Sequence, residues 1–174
     1  MSGTPLVTVR ASSIGSKCPF GNSSAEFQLF PSGCCQLQGS SGLGKTTIAM
    51  HLAGLLPSSV LNKLQIKVEC DWNPDLAVSE RCGVLFQQTT LLDELTVAGN
   101  LCVALENCPN QDPFRTEEDR NHRIKRLLET VGLDYARDAG KRVTELSGGM
   151  GRRACLALQL AQKKHIIVLD EPFT

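Results

Sequence analysis

No charge of either sign predominates in this sequence: 18 lysines and arginines stand against 18 aspartates and glutamates. Nothing global therefore points to nucleic acid or to an anionic membrane surface. The apolar runs Ile48 to Leu56 and Ile166 to Leu169 fall far short of the roughly 20 residues that a bilayer-spanning helix needs, so any membrane role must come through a partner. The eight cysteines, Cys18, Cys34, Cys35, Cys70, Cys82, Cys102, Cys108 and Cys155, lack the close paired spacing of a zinc site, and no secretory leader precedes them. They read as small apolar residues and unconstrained surface thiols of a reducing compartment. The N-terminal segment lacks a convincing amphipathic basic helix, which leaves an organelle address open. At 174 residues the chain has room for one well-filled core with one inserted subdomain, whereas two independent domains would be crowded.

What is present is organised around Gly39-Ser40-Ser41-Gly42-Leu43-Gly44-Lys45-Thr46-Thr47. A glycine, four free positions and Gly-Lys-Thr form the full phosphate-loop pattern. Cys34 to Gln38 can form a short strand before it, and Thr47 to Leu56 reads as a helix after it, so the loop sits where strand turns into helix. The glycines let successive main-chain N–H groups face a polyphosphate, Lys45 reaches its outer phosphates, and the Thr46 hydroxyl can ligate Mg2+. A chance Gly/Ser-rich turn is the competing reading, and the match of both spacing and context argues against it.

Around the loop, Leu6 to Val9 fits an edge strand and Phe27 to Phe30 a second short strand, closed by the Pro31-Ser32-Gly33 turn. Pro57 is expected to end the loop helix. Leu64 to Cys70 alternates as a strand with one wet face, and Gly83 to Phe86 gives another strand that ends at Gln87 and Gln88. Leu91 to Leu105 is largely apolar and has helical character after the Asp93-Glu94-Leu95-Thr96 start. Arg115 to Thr130 carries Ile124, Leu127 and Leu128, followed by Val131, as one apolar stripe, with a capping-box-like Thr116 and Asp119 at its start. Arg152 to Gln162 is the next helix, and Ile166 to Leu169 reads as a strand buried on both faces. The spacing predicts a single domain with N-terminal strands and phosphate-loop core over 1–87, a mainly helical subdomain over 88–150, and a return to the core over 151–174.

The last strand runs into Asp170-Glu171. Asp170 can hold the Mg2+ shell, and Glu171 can take a proton from water attacking a terminal phosphate. Two acids also begin solvated turns well, but with Lys45 upstream the metal and base reading is preferred. Leu146-Ser147-Gly148-Gly149-Met150, one helix ahead of that strand, is the third ordered motif. With it the chain resembles the nucleotide-binding domain of ATP-binding cassette (ABC) proteins, from about Val7 to Thr174.

That resemblance implies an α/β fold: a P-loop NTPase core with an inserted helical subdomain, lacking the final strands and helices of the ABC ATPase fold. It implies ATP and Mg2+ as ligands, held by Gly39, Ser40, Ser41, Gly42, Leu43, Gly44, Lys45, Thr46 and Thr47, with Thr46, Gln87 and Asp170 around the metal. Glu171, Lys45, Gln87 and Ser147 take the catalytic roles, Gln88 being the neighbouring candidate for Gln87. Ser147, Gly148 and Gly149 would face the ATP of another subunit, because a helix N-terminus suits an anion.

The partners implied are a second ABC ATPase subunit in a head-to-tail dimer and a transmembrane permease, with no direct nucleic acid. The implied location is peripheral, on the cytoplasmic side of a membrane. Leu146 to Met150, with Gly151-Arg152-Arg153-Ala154 and Asp170 to Thr174, is also similar to the ATPases of Mla-type phospholipid importers and their chloroplast relatives. No adenine-stacking aromatic is clear, Phe20 being too close to Lys45. The family's interface Asp and switch histidine fall after the acidic strand, and His51, His122 and His165 all precede it. Hydrolysis by this stretch alone is therefore not expected. A non-catalytic nucleotide-binding or regulatory fragment and a soluble non-transporter ABC ATPase are the other readings.

Overall fold

A computed structural model describes residues 4–13, 24–40, 42, 44–63, 66–86, 90–108 and 112–169. The chain divides into two units, Met1–Cys82 and Gly83–Thr174. In the first, β1 (Val7–Ser13) lies between β2 (Ser24–Leu29) and β3 (Ile66–Trp72) in an antiparallel sheet. Val9 pairs with Phe27 on one side and Cys70 on the other. β1 is therefore the central strand and not the expected edge. Its consecutive Val7, Thr8 and Val9 are all buried, as a strand flanked on both sides and covered on its faces requires. Arg10 ties the three strands across the surface, pairing with Glu26 of β2 and Asp71 of β3.

Two helices, α1 (Lys45–Leu52) and α2 (Ser58–Lys63), pack against β3 and bury Ile48, Leu52 and Leu61. α1 stops four residues before its predicted end, ahead of Pro57. Gly54 takes φ +73°, donating to His51 O at 2.9 Å while Leu55 N donates to Met50 O at 2.9 Å. This left-handed glycine cap satisfies the last carbonyls of α1. The segment Cys34 to Gln38, expected as a strand, is irregular and mostly exposed. Among the described residues no strand pairs with it, and an unpaired strand leaves its main-chain groups to water.

β3 runs on through Trp72, where Arg81 stacks over the indole at 5.2 Å. A short helix, α3 (Val78–Arg81), closes this unit.

In the second unit β4 (Cys82–Leu85) pairs with β5 (Ile166–Leu169). β5 is only half-buried, with Leu169 exposed, where burial on both faces was expected; among the described residues it has a single strand neighbour. The core comes from helices α4 (Val97–Glu106), α5 (Glu117–Thr130) and α7 (Gly148–Ala161), with the short α6 (Tyr135–Asp138) beside α5.

α5 illustrates how sequence sets a helix. Thr116 Oγ1 accepts from Asp119 N at 3.1 Å, and Glu117, Glu118 and Asp119 place negative charge at its positive end. Asp119 reaches back to Arg115 N, at 3.4 Å, and not to the capping threonine, so the reciprocal box is shifted by one residue. At the other end Gly132, at φ +73°, donates to Glu129 O and Leu133 N to Leu128 O, a Schellman stop. Ile124 and Leu128, one turn apart, are buried against α4 and α7. Leu128→Ala is expected to cost about 2–5 kcal/mol, because a fully buried side chain leaves a cavity. A urea titration with unchanged slope and a lower midpoint would register that loss, and an unmoved midpoint would refute it.

Candidate functional site

In the first unit the phosphate loop turns through Gly42 at φ +83° and Gly44 at φ +76°, backbone conformations that side-chain-bearing residues rarely adopt. Among the described residues, a Cβ on Gly42 would meet nothing within 4 Å. Gly44 caps α1 without a side-chain bond, and the first turn of α1 holds no acid. Lys45 opens the helix and folds back over the loop, its Nζ donating to Gly39 O and Ser40 O, both at 2.9 Å. Thr46 is exposed and Thr47 half-buried. A main-chain turn with positive-φ glycines, an ammonium and a hydroxyl at a helix start is a donor set that fits a polyphosphate with a divalent metal. Ser41 and Leu43 lie outside the described residues.

In the second unit Ser147 is the N-cap of α7, so this helix starts within the third motif and not at Arg152 as expected. Its Oγ accepts from Met150 N at 3.3 Å, and its carbonyl from Gly151 N at 2.9 Å. Among the described residues, added Cβ atoms on Gly148 and Gly149 would meet nothing within 4 Å. Arg153 braces the turn from behind, its Nε donating to Gly149 O at 3.3 Å and its Nη1 to Gly132 O at 2.8 Å.

β4 and β5, the strands whose sequences lead toward Gln87 and Asp170, are hydrogen-bonded neighbours. Gln87, Gln88, Asp170 and Glu171 themselves lie outside the described residues, as does Phe20. Of the histidines, His51 faces Leu56 O with its Nδ1 at 2.9 Å, a local tie after α1, while His122 and His165 are exposed. Seven cysteines are described, all as free thiols. Cys155 is buried and its Sγ accepts from Thr90 N at 3.4 Å, and burial, aided by Asp71, pushes the Cys70 thiol up to about 11.

The polar feature that sequence reasoning missed is Asp138. Its carboxylate is fully buried between Arg137 and Lys141. The Arg137 guanidinium, then Lys141, hold that carboxyl well below the usual carboxylate range. Charges at neighbouring and i, i+3 positions were the available signal, but such pairs usually mark a solvated face. Nothing in the sequence says that this one is buried.

The ABC transporter family model matches residues 23–174. A sulfate/thiosulfate import ATP-binding protein of Chromobacterium violaceum is 35% identical over 139 residues, covering 79% of this chain and 35% of that protein. An aliphatic sulfonates import ATP-binding protein of Xanthomonas axonopodis pv. citri is 35% identical over 150 residues, covering 86% and 55%. An energy-coupling factor transporter ATP-binding protein of Clostridioides difficile is 36% identical over 142 residues, covering 78% and 46%. The chain thus spans between about a third and just over half the length of these relatives. A metal-chelate type ABC transporter in an inward-facing conformation shares the fold at TM-score 0.63 and 20% identity, over 97% of this chain and 61% of that one. No helix among the described residues is long and apolar enough to cross a membrane. The mixed α/β P-loop core with its helical insertion, the ordered motifs and the family match agree: the chain belongs to the ABC transporter family.

Proposed function

We propose that this chain binds MgATP on its phosphate loop and that the complete protein, paired head to tail with a second ABC ATPase subunit, hydrolyses it to ADP and phosphate to drive transport through a separate permease. The observation that carries this is the loop itself, with Lys45 poised over it at the first turn of α1. ATP and Mg2+ use is typical of the family.

In this reading the main chain of Gly42 and Gly44 and the Lys45 ammonium grip the β- and γ-phosphates. Thr46, Gln87 and Asp170 hold Mg2+, which offsets phosphate charge. Glu171 accepts the proton of the attacking water. Gln87 links that site to the helical subdomain of 88–150, and Ser147, Gly148 and Gly149 approach the γ-phosphate of the partner's nucleotide. The subunit would work peripherally on the cytoplasmic face of a membrane, an organelle membrane included. The likeness of Leu146 to Ala154 to lipid-import ATPases supports a lipid cargo, while the relatives above are named for sulfate, sulfonate and energy-coupling factor systems.

The test is phosphate release by the full-length protein with MgATP, alongside Gly149→Asp. No described residue meets a Cβ added at Gly149, so the fold is expected to survive. The carboxylate would repel a phosphate at that helix end, and turnover is expected to fall about tenfold or more with loop affinity for ATP retained. Turnover equal to wild type would remove the third motif from the reaction. ATP binding without phosphate release in the wild-type protein would favour a non-catalytic nucleotide-binding or regulatory role.

A further inference from the structure

Two buried polar side chains of the second unit, neither of them assigned to the nucleotide, lie at the ends of a run of hydrogen bonds joined by short main-chain segments. The Asp138 carboxylate accepts from Arg137 Nε and Nη2, each at 2.9 Å, from Lys141 Nζ at 2.7 Å and from Asp134 N at 3.0 Å. Four donors leave it fully satisfied despite its burial. They fix the turn that follows, Ala139 to Lys141. Two carbonyls of that turn accept the first N–H groups of α4: Ala139 O from Ala98 N and Lys141 O from Val97 N, both at 2.9 Å.

The next residue, Arg142, forms an antiparallel bridge with Thr96, and its N–H donates to Glu145 Oε2 at 2.7 Å. That bond closes the 3-10 turn Val143–Glu145, which leads directly into Leu146 and the capping Ser147. From inside α4 the buried Asn100 completes the chain. Its Nδ2 donates to Leu92 O at 3.1 Å and Thr96 O at 3.0 Å, and its Oδ1 accepts from Leu92 N at 2.7 Å. The segment entering α4 and the turn before the third motif are thus fastened to the same helix end.

We propose that Asp138 is a positioning residue that clamps the N-terminus of α4 to the turn leading into Leu146 to Met150, so that the two segments move as one piece. It acts on the reaction through Ser147 and Gly149 and touches no nucleotide. The catalytic consequence rests on the ATP reading; the clamp itself does not. A contiguous hydrogen-bond network becomes a coupling only when a perturbation at one end is felt at the other.

The experiment is peptide-resolved hydrogen exchange on full-length Asp138→Asn, with ATP turnover measured on the same sample. About tenfold faster exchange is expected both in peptides covering Val97 to Leu101 and in those covering Leu146 to Gly151, with the buried turn Ile124 to Leu128 of α5 unchanged. kcat is expected to fall about tenfold while the Kd for MgATP stays within about twofold. Arg137→Gln, which removes two of the four donors from a largely exposed side chain, should give the same paired pattern at smaller amplitude and serves if Asp138→Asn does not fold.

Faster exchange confined to residues 134–141, or uniform across the unit, overturns the clamp. Paired exchange with unchanged kcat overturns the positioning role. Paired exchange in a protein whose wild type does not hydrolyse ATP supports the clamp and defeats the ATP reading. Unchanged exchange beside normal wild-type turnover defeats only the clamp.

Discussion

Lys45→Ala is expected to raise the Kd for MgATP by about a hundredfold. The ammonium now donates to two loop carbonyls, Gly39 O and Ser40 O. Nucleotide binding would exchange those neutral acceptors for charged phosphate oxygens, and charge-assisted bonds contribute about 1.5–3 kcal/mol each. Part of that gain is offset by the bonds given up, and about 2.7 kcal/mol net corresponds to a hundredfold. The loss is specific to binding because both carbonyls belong to exposed residues that water can solvate, and alanine is favourable at a helix start. Calorimetric titration of the full-length variant, with thermal denaturation as the control for fold, measures it. A Kd within threefold of wild type would dissociate Lys45 from the phosphates. Lys45→Arg separates charge from shape: a planar fork cannot replace a compact ammonium folded onto the loop, so it should recover only part of the affinity.

Glu171→Gln is expected to leave MgATP affinity nearly unchanged and to lower kcat by about 10²- to 10⁴-fold, the usual contribution of a positioned general base. The amide has almost the same shape but cannot take the proton of the attacking water. Blocked after binding, the variant should also accumulate as an ATP-dependent dimer, visible as an earlier elution peak in MgATP than in MgADP. Unchanged kcat would defeat the base assignment. Lost affinity would move Glu171 into the metal site instead.

The local elements were legible where a short stretch carries its own instructions. α5 announces itself through the Ile124, Leu127 and Leu128 stripe and the Thr116 cap, and the structure packs that stripe and starts the helix at that cap. At Gly42 and Gly44 the positive-φ backbone favours glycine, the residue that the sequence supplies there.

What escaped depends on partners distant in sequence or on one cap read too weakly. Pro57 is the obvious stop for α1 in the sequence, yet Gly54 ends it earlier, because a left-handed glycine closes the helix before the proline is reached. The central place of β1 is not legible locally, because its second partner, β3, is far along the chain. Asp138 was unreadable because burial, and not residue identity, turns an Arg-Asp-Lys cluster from a solvated face into a fixed point.

The central place of β1 also sets an order of events as the chain leaves the ribosome. Arg10 and Asp71, which join β1 to β3 across the sheet, stand 61 positions apart, and the whole phosphate loop lies on the excursion between β2 and β3. β1 and β2 can meet early, but the sheet closes only when β3 emerges, after Lys45 and both helices have been synthesised. The entropy of closing so long a loop must be offset by the late β1–β3 pairing. A nascent chain halted before residue 66 would therefore carry every residue of the nucleotide loop while lacking the strand on which α1 and α2 pack.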